Sequence, residues 1–563
     1  MASKILTPVT LWEEFSLTGY KQNLINESTV NGTTIREVYL YRKCPSGADV
    51  RIYVKMAYAG AYEGKSTIFY IPDAGEEILD EHLLSIVELG YVAFSMDISG
   101  DNGKTKEVND ELSYSPFTAY PDSIKYAKWS EYRSNPCYIG KSAKETAYYQ
   151  WSVNARYVLD YIRSQLVGSI AVMAKGASVT TAFHLGATEK LSALVALYGC
   201  GWIIPLGNKY GENVKVDYAP DELKFVAGLE AQSYSAYLKC PTLMCVTTNN
   251  PKYDIDRAYD TFTRIREDVY SAIVYTVGLG NYLSNKAFRD VKLFLNKYLD
   301  KIAMHLPNEI FTDAKIIDKK INVSATYDGE NADRVHIFAS EGVIEPEYRC
   351  WKKIASFDPS DKTKKCEVEF SPVQENGIVF FYSEIVYKNG FTVSSPLVVK
   401  RFSKNEVKCV PQFNVVYSCK EKYKEGIFEG INTNVKTSLY MKTVSEPVVE
   451  KVGAFGINGV DASRGIYTFN VLKPTQDAMF MIDVYSQLGA KVTIDLVVNA
   501  LTDSEKVYSV TVDIEGGNLW HKLQFEMAKF KTKEGFSLKS YENVKAIKIH
   551  GDNEFIVNNL MWI

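Results

Sequence analysis

Apolar and polar positions change period twice along the chain, and the changes divide it into three stretches. In the first, short apolar runs alternate with segments of helical spacing. Thr67–Ile71, Tyr91–Met96, Ser169–Met173, Leu194–Tyr198 and Thr242–Val246 read as buried strands. Between them, Leu83–Leu89 reads as a helix stopped by Gly90. Tyr148–Leu166 carries Val153, Val158, Leu159, Ile162 and Leu166 on one helical face. A further helix starts at about Ala177, and Ala287–Met304 closes the series. Strands alternating with helices predict a mostly parallel sheet with helices on both faces.

Helical spacing stops after His305. Ile321, Val323, Ala325 and Tyr327 alternate with polar residues, and Asn389-Gly390 between two apolar runs is a hairpin signal, with both turn residues expected at φ > 0. Residues 305–402 are expected to form a small β-sandwich. From 403 to 563, alternation in Val492–Val498, Leu523–Met527 and Ile547–Ile549, with turns at Gly516-Gly517 and Gly551-Asp552-Asn553, predicts a second, larger all-β sandwich. The first domain is then 1–304. The length of 563 residues suits three such units.

Composition removes several function classes. Lys and Arg number 64 against 68 Asp and Glu, with no long run of either sign, so a basic face for nucleic acid is not expected. No apolar run reaches the roughly 18 residues of a membrane span. The N-terminus has no apolar signal core, and nine scattered Cys without a C-x-x-C suit reduced thiols, so a cytoplasmic protein is expected. Six His leave little for a metal centre; no metal and no cofactor is expected.

Leu11-Trp12, Arg51-Ile-Tyr, the run Tyr91-Val-Ala-Phe-Ser-Met-Asp-Ile-Ser-Gly and Tyr237-Leu-Lys-Cys-Pro-Thr-Leu-Met resemble the α/β-hydrolase superfamily, in its acetylxylan esterase and cephalosporin-C deacetylase branch. The resemblance covers a little over half the chain and implies an α/β-hydrolase domain. It also implies a sharp strand-to-helix elbow carrying a nucleophile between two small residues. Here the strand ends in Ala174-Lys175-Gly176-Ala177-Ser178, and the nucleophile position reads Gly176. A register shifted by two would make Ser178 the nucleophile, at the expense of a longer strand through Lys175 and a crowded Thr180. The acid position implied by the family falls at Asn250, with Asp254 or Asp256 as substitutes after a loop shift. The base position falls at Asn281. Neither Asn can hold or move a proton near neutral pH. His184 reads as a packing histidine.

The same resemblance implies that backbone donors near Ala74 and Ala177 form an oxyanion hole. The segment after Trp202 would be the lid, where Trp202, Tyr210 and Tyr237 are candidate ligand contacts for a sugar face. The middle unit resembles immunoglobulin-like sandwiches, with Trp351 as a core anchor. The last unit resembles galactose-binding-like jelly rolls, on Leu519–Phe530, Ile547–Ile549 and Phe555–Trp562, with Trp520 and Trp562 read as core. Three functions stay open. The favoured one is a catalytically degenerate hydrolase-like protein binding a carbohydrate, a small acylated ligand or a protein partner. The others are an active carboxylic ester hydrolase with a rearranged triad built on Ser178 and Asp254, and a structural scaffold.

Overall fold

The computed structural model describes residues 5–563 except 101–105, 109–111, 205–206, 212–216, 280–282, 308–309, 328–329, 360–363, 375–376, 411–413, 420–427, 430–447, 460–465 and 473. Nine strands form the first sheet: β1 Lys21–Val30, β2 Thr33–Lys43, β3 Asp49–Ala59, β4 Thr67–Ile71, β5 Val92–Met96, β6 Ile170–Lys175, β7 Ala193–Leu197, β8 Thr242–Thr247 and β9 Ser271–Thr276. Their spatial order is β1-β2-β3-β5-β4-β6-β7-β8-β9. The sheet is mixed. β1, β2 and β3 pair antiparallel, with β3 antiparallel to β5, and all strands from β5 to β9 run parallel.

Alternation in the central strands explains why both faces must be covered. In β4, Phe69 and Ile71 enter one core while Ile68 and Tyr70 enter the other. The first core is closed by α2 (Ala147–Ser164) and α3 (Ser178–Thr188). The second is closed by α1 (Asp80–Glu88) and α5 (Asn285–Tyr298), whereas α4 (Ile255–Phe262), between β8 and β9 in sequence, packs Ile255 and Ala258 into the first core. Gly90 stops α1 as expected, at φ 96°. The closing helix ends six residues before the expected Met304. Beyond it Lys301 takes φ 59° and Ile302 is exposed, so the apolar spacing there did not mean a buried helical face.

The remainder folds as antiparallel sheets. Strands Ile310–Ile317, Lys320–Tyr327 and Lys365–Phe370 form one sheet. Lys352–Phe357, Ala332–Glu341, Gly377–Tyr387, Thr392–Ser394 and Val398–Phe402 form the other. At the Asn389-Gly390 turn only Gly390 has positive φ, 87°. Asn389 instead accepts the Phe391 N–H on its side chain, which holds the turn without a left-handed residue before the glycine. The last 150 residues carry two more sheets around Val492, Ile494, Leu496, Phe480, Ile482 and Trp562. Trp562 is core, but Trp520 is only half-buried: its indole N–H reaches the Lys451 carbonyl and its ring lies on Tyr485. Met527 falls outside the strand Trp520–Phe525, in a short 3-10 turn.

The first two stretches share their cores. Phe380, Tyr382 and Trp351 join one core of the mixed sheet, and Val379 and Phe381 join the other. At this seam Tyr275 N–H donates to Ser394 Oγ at 2.9 Å, and Lys286 pairs with Glu384.

Candidate functional site

Chain order locates the cleft. From β4 the chain moves to β5 on one side, then crosses back to β6 on the other side of β4. The loops after β4 and β6 therefore leave neighbouring parallel strands in opposite directions, and such a switch point is where sheets of this kind place a binding cleft, at the strands' carboxyl ends. The loop after β4 is Pro72-Asp73-Ala74-Gly75, and the turn after β6 is Gly176-Ala177.

Gly176 is the apex of that turn, with φ 57°. Two contacts hold it there: its N–H donates to the Leu197 carbonyl at 2.9 Å, and its carbonyl accepts from Val179 N–H at 3.2 Å. A side chain at 176 would be strained, and it would also have no room. A Cβ there would fall inside the carboxylate of Asp73, against Cγ and both oxygens. Asp73 Oδ1 accepts the Ala74 N–H at 2.8 Å and the Ala177 N–H at 2.7 Å. The two backbone donors that sequence assigns to an oxyanion hole thus converge on one oxygen, and that oxygen belongs to the chain itself. Burial pushes the Asp73 carboxyl above its ordinary range, opposed by the Lys252 charge and by the Ala177 amide. Beside it, Lys175 pairs with Glu76 at 2.5 Å.

Ser178 is the first residue of α3 and is fully buried. Its hydroxyl donates to the Pro72 carbonyl, and no acid or base touches it. β6 does extend through Lys175, as a shifted register would require, but the positive φ stays at 176.

The loop after β8 is built into the seam with the middle unit. Asn249 Nδ2 donates to the carbonyls of Arg349 at 2.7 Å and Glu347 at 3.1 Å. Asn250 Oδ1 accepts the N–H groups of Lys252 and Tyr253, both at 2.9 Å, and so shapes its own turn. Asp254 caps α4, accepting Arg257 N–H at 2.9 Å and pairing with the Arg257 guanidinium at 3.2 Å. Burial, then the like charge of Asp256, raises its carboxyl. Asp256 faces Arg349 in a two-pronged ion pair of 2.5 and 2.8 Å, with neither side chain exposed. The Arg349 guanidinium also lies 3.5 Å from the Phe380 ring centre. Asn281 lies outside the described residues.

His184 is buried between Ser152 Oγ and the Leu229 carbonyl, each at 2.7 Å. Burial lowers its pKa to about 3, so it packs as a neutral ring. The three lid aromatics do not form one wall. The Trp202 indole N–H donates to Thr261 Oγ1 at 2.9 Å. The Tyr210 ring lies 5.5 Å from Phe380 in the middle unit, and Tyr237 stands exposed on a 3-10 turn. Glu230, fully buried, takes the N–H groups of Ile203 and Ile204 at 2.8 and 3.1 Å and so pins the start of this segment. Among the described residues no cluster of His, Cys, Asp and Glu could hold a metal ion, and no helix is long and apolar enough to cross a membrane.

Sequence reasoning passed over Asp73 and Arg349, and weighed Asp256 only as a substitute acid. A signal for Asp73 was present: an acid directly before the expected oxyanion residue, two strands from an elbow without a side chain. Nothing in the spacing joins Arg349 to Asp256, which lie 93 positions apart.

Strand order, elbow and switch-point crevice define the architecture of an α/β-hydrolase in the first half of the chain. No family model matches the chain, and no curated protein does. Solved structures similar to it include an acetyl xylan esterase from Paenibacillus sp. R4, 13% identical, covering 52% of this chain and 92% of that one at a TM-score of 0.37. Acetyl xylan esterase 1 from Thermoanaerobacterium sp. JW/SL YS485 is 14% identical, over 53% of this chain and 96% of that one, at 0.38. A cold-adapted esterase from an Arctic intertidal metagenomic library is 8% identical, over 49% and 99%, at 0.31. Nothing about chemistry follows from likenesses at this level.

Proposed function

We propose that this protein is a catalytically silent, esterase-like protein that acts by binding rather than by turnover. One observation carries the reading: Asp73 holds both oxyanion-type amides, against a glycine at the place of the nucleophile. An acyl substrate needs that pair of donors free for the oxygen that gains charge in the transition state. It also needs a nucleophile with a base in reach, and Ser178 donates to a backbone carbonyl instead. Asp254 is committed to a helix cap and Asp256 to a buried ion pair, so neither is free to orient a base. A carbohydrate, a small acylated molecule or a protein partner remains the class of ligand. Its nine cysteines, scattered and without a C-x-x-C, suit a reducing cytoplasm.

The test is steady-state hydrolysis of a panel of acetyl and short-acyl esters by the full chain. The expected result is no rate above buffer. Turnover that disappears in Ser178→Ala would overturn the reading and install Ser178 as nucleophile.

A further inference from the structure

Against the burial that raises its pKa, the Asp73 carboxylate is contacted as a bound anion would be. Its Oδ1 is held by two amides from separate loops, at 2.8 and 2.7 Å, and α3, eleven residues long, starts at that point with its positive end towards the carboxylate. Lys252 and Lys175 act on it electrostatically in the favourable direction, and Glu76 on the same loop, though paired with Lys175, acts against them. Two further groups belong to the same environment and have no partner. The Tyr253 hydroxyl is 5% exposed and lies near enough to feel the Asp73 charge; the Tyr70 hydroxyl is fully buried and feels both Asp73 and Glu76. Tyr132 also feels the Asp73 charge, but its hydroxyl is joined to Tyr148 at 2.6 Å.

The loop does not depend on the Asp73 side chain for its shape. Glu76 N–H donates to the Asp73 carbonyl at 3.0 Å, and Gly75 N–H to Ser99 Oγ at 2.8 Å. A side-chain rotation would therefore clear the amides while the backbone stayed in place, and Gly176 adds no atom to the space released.

We propose that the cleft is a carboxylate-binding site closed by an internal stand-in, Asp73, and that it takes a small monocarboxylate of the acetate class on the Ala74 and Ala177 amides when Asp73 swings aside. This rests on the silent reading above, because a working nucleophile would need the same space. An attached competitor acts at an effective concentration of millimolar or more. Wild-type affinity for a free carboxylate is then weak, and removing the competitor strengthens it.

The test is acetate titrated into the full-length wild type and Asp73→Ala, with sodium chloride at equal ionic strength as control. Saturation-transfer NMR of the acetate methyl and the thermal midpoint are read together. The expected result is saturable acetate binding by Asp73→Ala at least about tenfold tighter than by wild type. Acetate, but not chloride, should raise its midpoint. Adding Gly176→Ala, whose methyl sits where the carboxylate lay, should abolish the binding. Equal responses from wild type and Asp73→Ala, or binding that survives Gly176→Ala, would overturn the proposal. Should Asp73→Ala not fold, Asp73→Ser keeps one acceptor for the amides and is read the same way. Ester turnover by wild type would sink the silent reading and this proposal with it; without turnover, the acetate comparison alone decides the proposal.

Discussion

Restoring a serine at the elbow is the perturbation that best probes the geometry, and it should fail in a specific way. Gly176→Ser places a side chain at φ 57°, which costs about 1–2 kcal/mol in a left-handed backbone. Its Cβ would occupy the position of the Asp73 carboxylate, so Asp73 must leave its two amides. Each is a hydrogen bond to a charged acceptor, worth about 1.5–3 kcal/mol. Water entering the cleft returns part of that, leaving a loss of about 2–4 kcal/mol. The single variant should then be destabilised by about 3–6 kcal/mol, and Asp73→Ala by about 2–4 kcal/mol. In Asp73→Ala the amide bonds are already gone, so adding Gly176→Ser should cost only the backbone strain of about 1–2 kcal/mol. The double variant is thus expected near the single serine variant, with a coupling of about 2–4 kcal/mol. Urea midpoints of wild type, both singles and the double give the cycle. Comparing midpoints is preferable to absolute free energies, because a chain of this size need not unfold in two states. Additive shifts, or a serine variant as stable as wild type, would refute the steric argument. None of the four proteins should hydrolyse esters.

Three other outcomes follow from the same contacts. Arg349→Ala leaves Asp256 as an uncompensated buried charge and should cost about 3–5 kcal/mol, while replacing both partners by apolar residues of similar volume should cost far less; urea midpoints of the two variants decide it. Ser178→Ala strands the buried Pro72 carbonyl and should lower stability by about 1–3 kcal/mol in the same assay, with no change in any ester rate. Burial raises Glu230 to about 7. The folded chain therefore binds a proton there that the unfolded chain has released, and stability falls as pH rises from about 4.5 to 7, by on the order of 3 kcal/mol. Glu230→Gln should flatten thermal midpoints across that window, and an unchanged slope would count against a neutral Glu230.

The parallel strands and their helices were legible because both periods are local. β4 reads the same from sequence and from structure. The alternation at Ile321, Val323, Ala325 and Tyr327 survives as an exact buried face of its strand. Errors arose where a local signal was decided by distant packing. Ile302 continued an apolar pattern that nothing covers, and Met304 packs on the second core without being helical; Trp520 carried an aromatic signal that a neighbouring hairpin carbonyl satisfies at the rim. The absence of a side chain at 176 was visible, yet the group filling the space was not, because strand order brings Asp73 there from 103 positions away. Arg349 presents the same difficulty: a charged residue in a β-rich stretch reads as surface until its carboxylate partner is placed.

On the silent-cleft proposal, the described remnants of the nucleophile and acid positions have entered packing, and this decides how easily activity could be regained. The β6 elbow could accept a serine only after Asp73 moves, so nucleophile and oxyanion donors are coupled through one side chain. On the far side, Asn249 and Asp256 hold the middle unit through Arg349 and its neighbouring carbonyls. An acid placed at 250 would lie next to residues whose positions the seam fixes, and its side chain would have to give up the turn that Asn250 makes with Lys252 and Tyr253. A nucleophile restored at 176 or an acid at 250 would therefore break a contact the fold now uses. Single substitutions are expected to lose stability without gaining rate; any gain would require changes at the elbow, the Asp73 loop and the seam together.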